Sequence, residues 1–345
     1  MTQDDWIAVV ADVARDWQDP DYERRADAVD VSLEAPNRYT EAGLAFALNH
    51  RMRQFSSDAL PEWVGGRTAQ QSRNVGIACA DAPPLDGLVE SVAALVLGHR
   101  VWVAPSEASP ALVAAFLDDM LDRMIEEPVR FVPRTAVFER ADMLVASGDA
   151  DELEAIVAAA DAAGIPSERR WLHRHGIVVA VIDGREDAEA RSGLAEDLLL
   201  HEGVGPRTPT LLWAPAGFEP DPLLDTLAGF RELYPAHPKT DGTLAMPTAF
   251  LASAKQAHAT GPGFLVSKGA PEPQAPGHIR WVEYDSLADV SEWLGSCAET
   301  VEFVVAPVHI AAQIDVDVAF VIPGDAHRPA LGDDVPGLVS FLVDR

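Results

Sequence analysis

Lysine is almost missing from this sequence. The 345 residues include only Lys239, Lys255 and Lys268, so arginine supplies nearly all of the 26 basic residues that face 55 Asp and Glu. The net charge is −29. A field of that sign repels nucleic acid and anionic membrane over the whole molecule, so neither is an expected partner. The acidity reads as a salt-adapted (halophilic), strongly solvated exterior; an acidic surface facing a partner is the alternative. Cysteine is scarce too. Cys79 and Cys297 give neither a disulfide framework nor a zinc pattern. No apolar run approaches the roughly 20 residues of a membrane-spanning helix. The acidic start "MTQDDWIAVV" lacks the positive region of a signal peptide. Together these absences lead us to expect a soluble cytoplasmic protein. G-x-G-x-x-G after a strand and G-x-x-x-x-G-K-[ST] are both absent, which removes the standard dinucleotide fingerprint and the P-loop. G-x-S-x-G is absent as well.

What is present is a hydrophobic fraction of 48%, ample for a packed core. Residues 1–65 read as mostly helical, with Thr40 capping the run that begins "EAGLAFALNH". From residue 74 short apolar strands alternate with helices: "NVGIACA", "GLVESVAALVLG", "RVWVAP", "VRFVP", "ADMLVAS", "DADELEAIVAAADAAG", "GIVVAVID". Ser109 and Pro110 look like the cap and first position of a helix whose stripe runs Leu112, Val113, Phe116, Leu117, Met120, Leu121, Met124, Ile125. This alternation predicts an α/β fold with parallel sheets covered on both faces. The expected division is a helical segment at 1–65, a Rossmann-like lobe at 66–190 and a second lobe at 191–324, with 325–345 returning to the first. "ERRWLHRHG", the most basic stretch, reads as a salt-paired surface loop. Its His173 and His175 are assigned to opposite faces, so no metal site is expected there.

The turn "HEGVGPRTPTLLW" joins a helix to a strand. Glycines bound it, yet the residue at its tip is Pro206, which has no nucleophile, no acid and no N–H.

Taken in order, "GLVESVAALVLGHRVWVAPSEASPAL", "ADMLVASGD", "GIVVAVIDGRED", "HEGVGPRTPTLLWAPAGFE" and "IPGDAHRPALGDDVPGLVSFL" resemble the bacterial acyl-CoA reductases of the luminescence type, within the aldehyde dehydrogenase superfamily. The resemblance runs from about residue 35 to the C-terminus. It implies a cofactor lobe, a catalytic lobe and an active site between them. It also implies a reaction in which a cysteine thiolate takes an acyl group from CoA and a nicotinamide hydride, from NADPH if any, reduces it to an aldehyde. The family's nucleophile turn corresponds here to Gly203, Val204, Gly205, Pro206 and Arg207, so Pro206 stands at the cysteine position. The family's oxyanion asparagine corresponds to Asp81, in the turn Ala80–Pro83; an ionised carboxylate cannot donate to an oxyanion. The cofactor lysine corresponds to Ala104, followed by Pro105 and Ser106. The small-residue turn near the cofactor phosphates corresponds to Ala146, Ser147, Gly148 and Asp149, which adds an anion. Cys79 and Cys297 are read as structural.

Three functions follow. The chain is a reductase-like protein without thioester-reducing activity, acting as a subunit or regulator. Or it is an NAD(P)H-dependent acyl-CoA reductase with atypical site residues. Or it binds a small molecule without a covalent step. An acyl-CoA or other small molecule, and a homo- or hetero-oligomeric partner, are the corresponding ligands; no metal is expected.

Overall fold

A computed structural model describes residues 1–78, 84–106, 108–124 and 127–344, the last without its side chain. Cys79, Asp81 and Ile125 therefore lie outside the described residues. The chain divides into two compact units, one of residues 1–37, 44–175 and 329–345, the other of 38–43 and 176–328. The division after His175 falls earlier than the expected position near 190. The reason is strand pairing: residues 177–181 belong to the second sheet.

The first unit opens with helices Gln3–Asp16, Glu23–Glu34, Glu41–Gln54 and Ala59–Val64. Thr40 accepts a hydrogen bond from Gly43 N at 3.1 Å, the expected start signal of the third. The sheet contains β1 (Asn74–Ala78), β2 (Arg100–Val103), β3 (Val129–Phe131), β4 (Met143–Gly148) and β5 (Arg170–Arg174), in the order β3-β2-β1-β4-β5 and all parallel. Strand order reverses between β1 and β4, and ligands of open α/β sheets bind outside the carboxyl ends at such a point. Every residue of the Leu88–Val96 helix is buried, the polar Glu90 and Ser91 among its apolar residues. The Leu112–Leu121 helix buries Leu112, Val113, Phe116, Leu117 and Met120. Its cap differs from expectation. Ala111 holds the N-cap position, and the Ser109 hydroxyl instead donates to the Pro84 carbonyl at 2.8 Å.

The basic stretch expected as a loop is edge strand β5. Trp171 stacks on His173 at 5.5 Å, and His173 meets His175 edge-on at 5.7 Å. The assignment of the two histidines to opposite faces is corrected by this contact, since residues two apart on a strand share a face.

The second unit holds β6 (Ile177–Val181), β7 (Pro209–Pro215), β8 (His258–Gly261), β9 (Phe264–Lys268), β10 (His278–Tyr284), β11 (Val301–Val305) and β12 (Ala319–Val321). They order as β12-β11-β6-β7-β10-β9-β8, parallel except for β8 against β9. Alternate residues serve opposite faces. Ala180, Leu212 and Trp281 pack with Leu194, Leu198, Leu223 and Leu227 from the Ala188–Leu199 and Asp221–Leu233 helices. Val181, Leu211 and Val282 pack with Val290 and Leu294 of the Leu287–Ser296 helix on the other face. Each of these leucine and valine side chains contributes about 1.5–3 kcal/mol on burial. Among the described residues no helix is long and apolar enough to cross a membrane.

Candidate functional site

The Ala188–Leu199 helix starts on Asp187, whose carboxylate accepts Ala190 N at 2.8 Å. After it the chain reverses through three residues with positive φ: Glu202 at 61°, Gly203 at 73° and Gly205 at 103°. The two glycines are needed for different reasons. A Cβ on Gly203 would lie 2.2 Å from Gly277 N, so backbone packs directly on backbone there. Around Gly205 the space is open, and only its backbone angle demands glycine.

Glu202 anchors the turn. Its carboxylate accepts from Arg231 Nη1 at 2.8 Å, from His237 N at 3.1 Å and from the Thr240 hydroxyl. Both members of the Glu202–Arg231 ion pair are 1% exposed. This arrangement was not legible in the sequence beyond one signal, a glutamate directly before the first glycine of the turn. The next anchor is Asp197. It accepts from Gly324 N at 2.7 Å and Ala326 N at 3.1 Å, tying the "PGDAHR" segment to the helix. Gly193 permits that approach, because a Cβ there would meet the Pro323 carbonyl at 2.7 Å. Burial raises the Asp197 carboxyl to about 7 against the pull of those two amides. His201 and His327 meet edge-on at 4.7 Å, and desolvation lowers His201 to about 4 and His327 well below its usual range. Both rings are therefore neutral near pH 7.

Pro206 itself is half-buried. Arg207 does not point a free charge at a reacting atom. Its Nε donates to the Ala326 carbonyl at 2.5 Å, and its guanidinium lies 4.5 Å from the Phe303 ring centroid. The Thr208 hydroxyl donates to the Val204 carbonyl at 3.2 Å. The tip of the turn thus presents no nucleophilic side chain; the Thr208 hydroxyl closes the turn, and Arg207 ties it to Ala326 and Phe303.

In the first unit, Ala104, Ser106, Ser147 and Gly148 lie at the carboxyl ends of β2 and β4, the edge where a dinucleotide would sit. Ala104 packs into an apolar cluster with Ala78, Phe138 and Leu144. Ser106 accepts from Ala108 N and Ser109 N, both at 3.2 Å, closing its own turn. The Ser147 hydroxyl donates to the Asp86 carboxylate at 3.2 Å. Burial, then the neighbouring Glu90, pushes Asp86 well above the usual carboxylate range.

A pyrophosphate needs the free N–H groups and positive end of a helix N-terminus. The relevant helix is Ala150–Ala162, and two of the amides at its start, Asp149 N and Glu152 N, are answered internally. Asp149 accepts Glu152 N at 2.9 Å, and Glu152 accepts Asp149 N at 2.8 Å. The Glu152 carboxylate also fills the space over Gly148, where a Cβ would lie 2.9 Å from Oε2. Asp149 is therefore the helix cap as well as an added anion. The residues present at this corner do not fit a phosphate-bearing cofactor. Among the described residues no group of three or more His, Cys, Asp or Glu could hold a metal ion.

Comparison with solved structures places this architecture. A benzaldehyde dehydrogenase from Corynebacterium glutamicum, described as NAD-dependent, superposes with TM-score 0.71 at 13% identity, covering 99% of this chain and 84% of that one. The fold is that of the aldehyde dehydrogenases. An NAD-dependent aldehyde dehydrogenase from Sinorhizobium meliloti gives 0.70 at 14% identity, with 94% and 75% covered. An oxidoreductase from Marinobacter aquaeolei gives 0.72 at 10%, with 93% and 77% covered. No family model and no curated protein matches the sequence. Identities this low establish the aldehyde dehydrogenase fold and leave the chemistry to the site residues.

Proposed function

We propose that this chain is an acyl-CoA-reductase-like protein on the aldehyde dehydrogenase fold that does not reduce thioesters and serves, in the cytoplasm, as a non-catalytic subunit or regulator. The observation that carries the reading is the turn at Gly203–Arg207. Its glycines hold special backbone positions and its arginine holds a neighbouring segment, while Pro206 offers no atom to bond an acyl carbon. Proline also has no N–H for an oxyanion. The carboxylate-capped corner at Asp149 and Glu152 supports the same reading for the cofactor, since anions repel phosphate where amides would hold it.

Intact-protein mass spectrometry after incubation with short- and long-chain acyl-CoAs tests the covalent step, and calorimetry with NADPH tests the cofactor. The expected results are no acyl adduct and an NADPH affinity weaker than about 1 mM. An adduct mapping to Cys79, or micromolar NADPH binding at moderate salt, would restore the active-reductase reading.

A further inference from the structure

Arg280 is a buried cation without a counter-charge. It sits within β10, level with Leu211 of β7 on one side and Ser267 of β9 on the other. Its neighbours Ile279 and Trp281 pack with Leu212 and Leu227 on one face of the sheet, so Arg280 points to the other face, as Val282 does. There it is 8% exposed. Its Nε is buried with no hydrogen-bond partner, and neither Nη makes a hydrogen bond or ion pair among the described residues. The field of Glu272 reaches the guanidinium, but Glu272 is exposed and does not pair with it. Pairing on both edges of β10 prevents the backbone from carrying the charge out to solvent. Buried cations are normally paired, because an uncompensated charge opposes folding strongly. Two more polar groups share this face. Ser267 is directly across from Arg280, and His278 precedes it by two positions. Ser267 Oγ and His278 Nε2 lie 2.7 Å apart, and both side chains are buried. Burial, then the charge of Arg280, lowers His278 to about 4, so its ring is neutral near pH 7. When Nε2–H donates to Ser267, the serine proton is free to turn to another acceptor. Gly269 leaves the guanidinium its place, since a Cβ there would lie 2.5 Å from Nη1.

We propose that Arg280, with the Ser267 hydroxyl beside it, binds the carboxylate of a small monoanionic ligand. Charge selects a monoanion. One guanidinium beside a neutral ring supplies one positive charge, and a phosphate dianion would leave excess negative charge in a molecule that already carries −29. Shape selects a carboxylate, whose two coplanar oxygens match the parallel N–H groups of a guanidinium. Leu211 and Val282 flank the charge and offer no further polar partner, so the rest of the ligand that meets them is apolar. The site is separate from the turn at Pro206. Gly203 packs on Gly277, just before β10 begins, whereas the guanidinium lies against Gly269, past the far end of β9. The inference therefore goes beyond the function proposed above and does not depend on it.

Scanning calorimetry of the full chain tests this, with sodium acetate replacing sodium chloride at constant ionic strength and acetamide as the neutral isostere. An uncompensated cation destabilises, so Arg280→Met is expected to melt above the wild type in chloride. Acetate should raise the melting temperature of the wild type more than that of Arg280→Met, which responds only to the general salt effect. Acetamide should act on the two alike. In saturation-transfer NMR, acetate should bind the wild type. Its affinity should fall at least tenfold in Arg280→Met and roughly two- to tenfold in Ser267→Ala, which keeps the charge. Glu272→Gln should leave the acetate response in place. The proposal is overturned by an equal acetate response in the wild type and Arg280→Met, by acetate affinity unchanged in Ser267→Ala, or by phosphate acting as strongly as acetate. It is also overturned if Glu272→Gln destabilises the wild type but not Arg280→Met, because Glu272 would then be the counter-charge.

Discussion

Glu202→Ala is expected to be among the most damaging single changes in the second unit. The carboxylate it removes holds a guanidinium, a backbone amide and a hydroxyl in a site where both charges are 1% exposed. Its loss strands Arg231. Arg231 Nη1 would keep only the Tyr234 carbonyl at 3.5 Å, and Nε and Nη2 already have no partner among the described residues. Removing one member of a buried ion pair costs about 3–5 kcal/mol, because the remaining charge stays buried without compensation. That is a large part of the 5–15 kcal/mol that typically separates folded from unfolded domains. The positive φ of Glu202 adds little protection, since alanine gains nothing at 61° that glutamate lacks.

The mechanism makes a sharper claim than the size of the loss. If the cost is an orphaned charge, removing the charge as well should recover part of it. Glu202→Gln and Arg231→Met, measured singly and together by urea titration and calorimetry, should be non-additive. The double variant should be less destabilised than the sum by roughly 1–3 kcal/mol. Additivity within about 0.5 kcal/mol would refute the idea that the pair acts as a unit.

Two further outcomes are expected. In the first unit, burial and then nearby Asp334 raise the Glu90 carboxyl to about 7, with Arg51 and His173 opposing. The folded state therefore binds a proton there that the unfolded state has already lost, and this group's contribution to stability is present below about 4.5 and falls away as pH rises toward 7. Glu90→Gln removes that decline, so its melting temperature relative to wild type should climb between those pH values; a constant difference would argue against a buried titrating carboxyl. At the turn, Pro206→Cys should fold, and its thiol should react with maleimide before that of Cys297, which burial holds above its usual pKa and which donates to the Trp293 carbonyl at 3.1 Å. An inert thiol at 206 in the folded protein would mean that the turn is closed to reagents.

The alternation of short apolar strands with helices was readable in the sequence because hydrophobic burial alone sets it; β1, β2, β4, β6 and β7 all coincide with apolar runs. Elements that break local rules were not readable. The Pro238–Ala254 helix carries Gly242 and an internal Pro247, both of which argue against a helix locally. Packing of Leu244 and Leu251 onto β9 outweighs them. β5 looked like a loop because it is rich in arginine and histidine, yet one edge of it pairs with β4 and its rings stack on each other. At the site, the glycines of the turn announced a special backbone. The role of Glu202 did not show, because a glutamate in a turn reads as solvated and its partners lie far along the chain. Asp149 was a legible case read incompletely: an Asp followed three residues later by Glu is the signature of a capping box.

On the reading proposed above, the turn at Pro206 and the corner after β4 depart from the acyl-CoA reductase pattern in different physical ways. At the turn the loss is a subtraction. Pro206 leaves a gap in function, while Gly203, Glu202 and Arg207 keep the backbone where it was through contacts that owe nothing to a thiol. One substitution can refill such a gap. At the carboxyl edge of β4 the loss is a replacement. Asp149 and Glu152 set two carboxylates at the helix start and take two of its amides, the Ser147 hydroxyl donates to Asp86, and Ala104 packs against an apolar cluster. A capping box also contributes to helix stability, so its removal would expose free amides at the expense of the fold. On the reading proposed above, a thiol at position 206 is therefore the easier change to make, and the carboxylate-capped corner at Asp149 and Glu152 is the harder one to convert into a phosphate site.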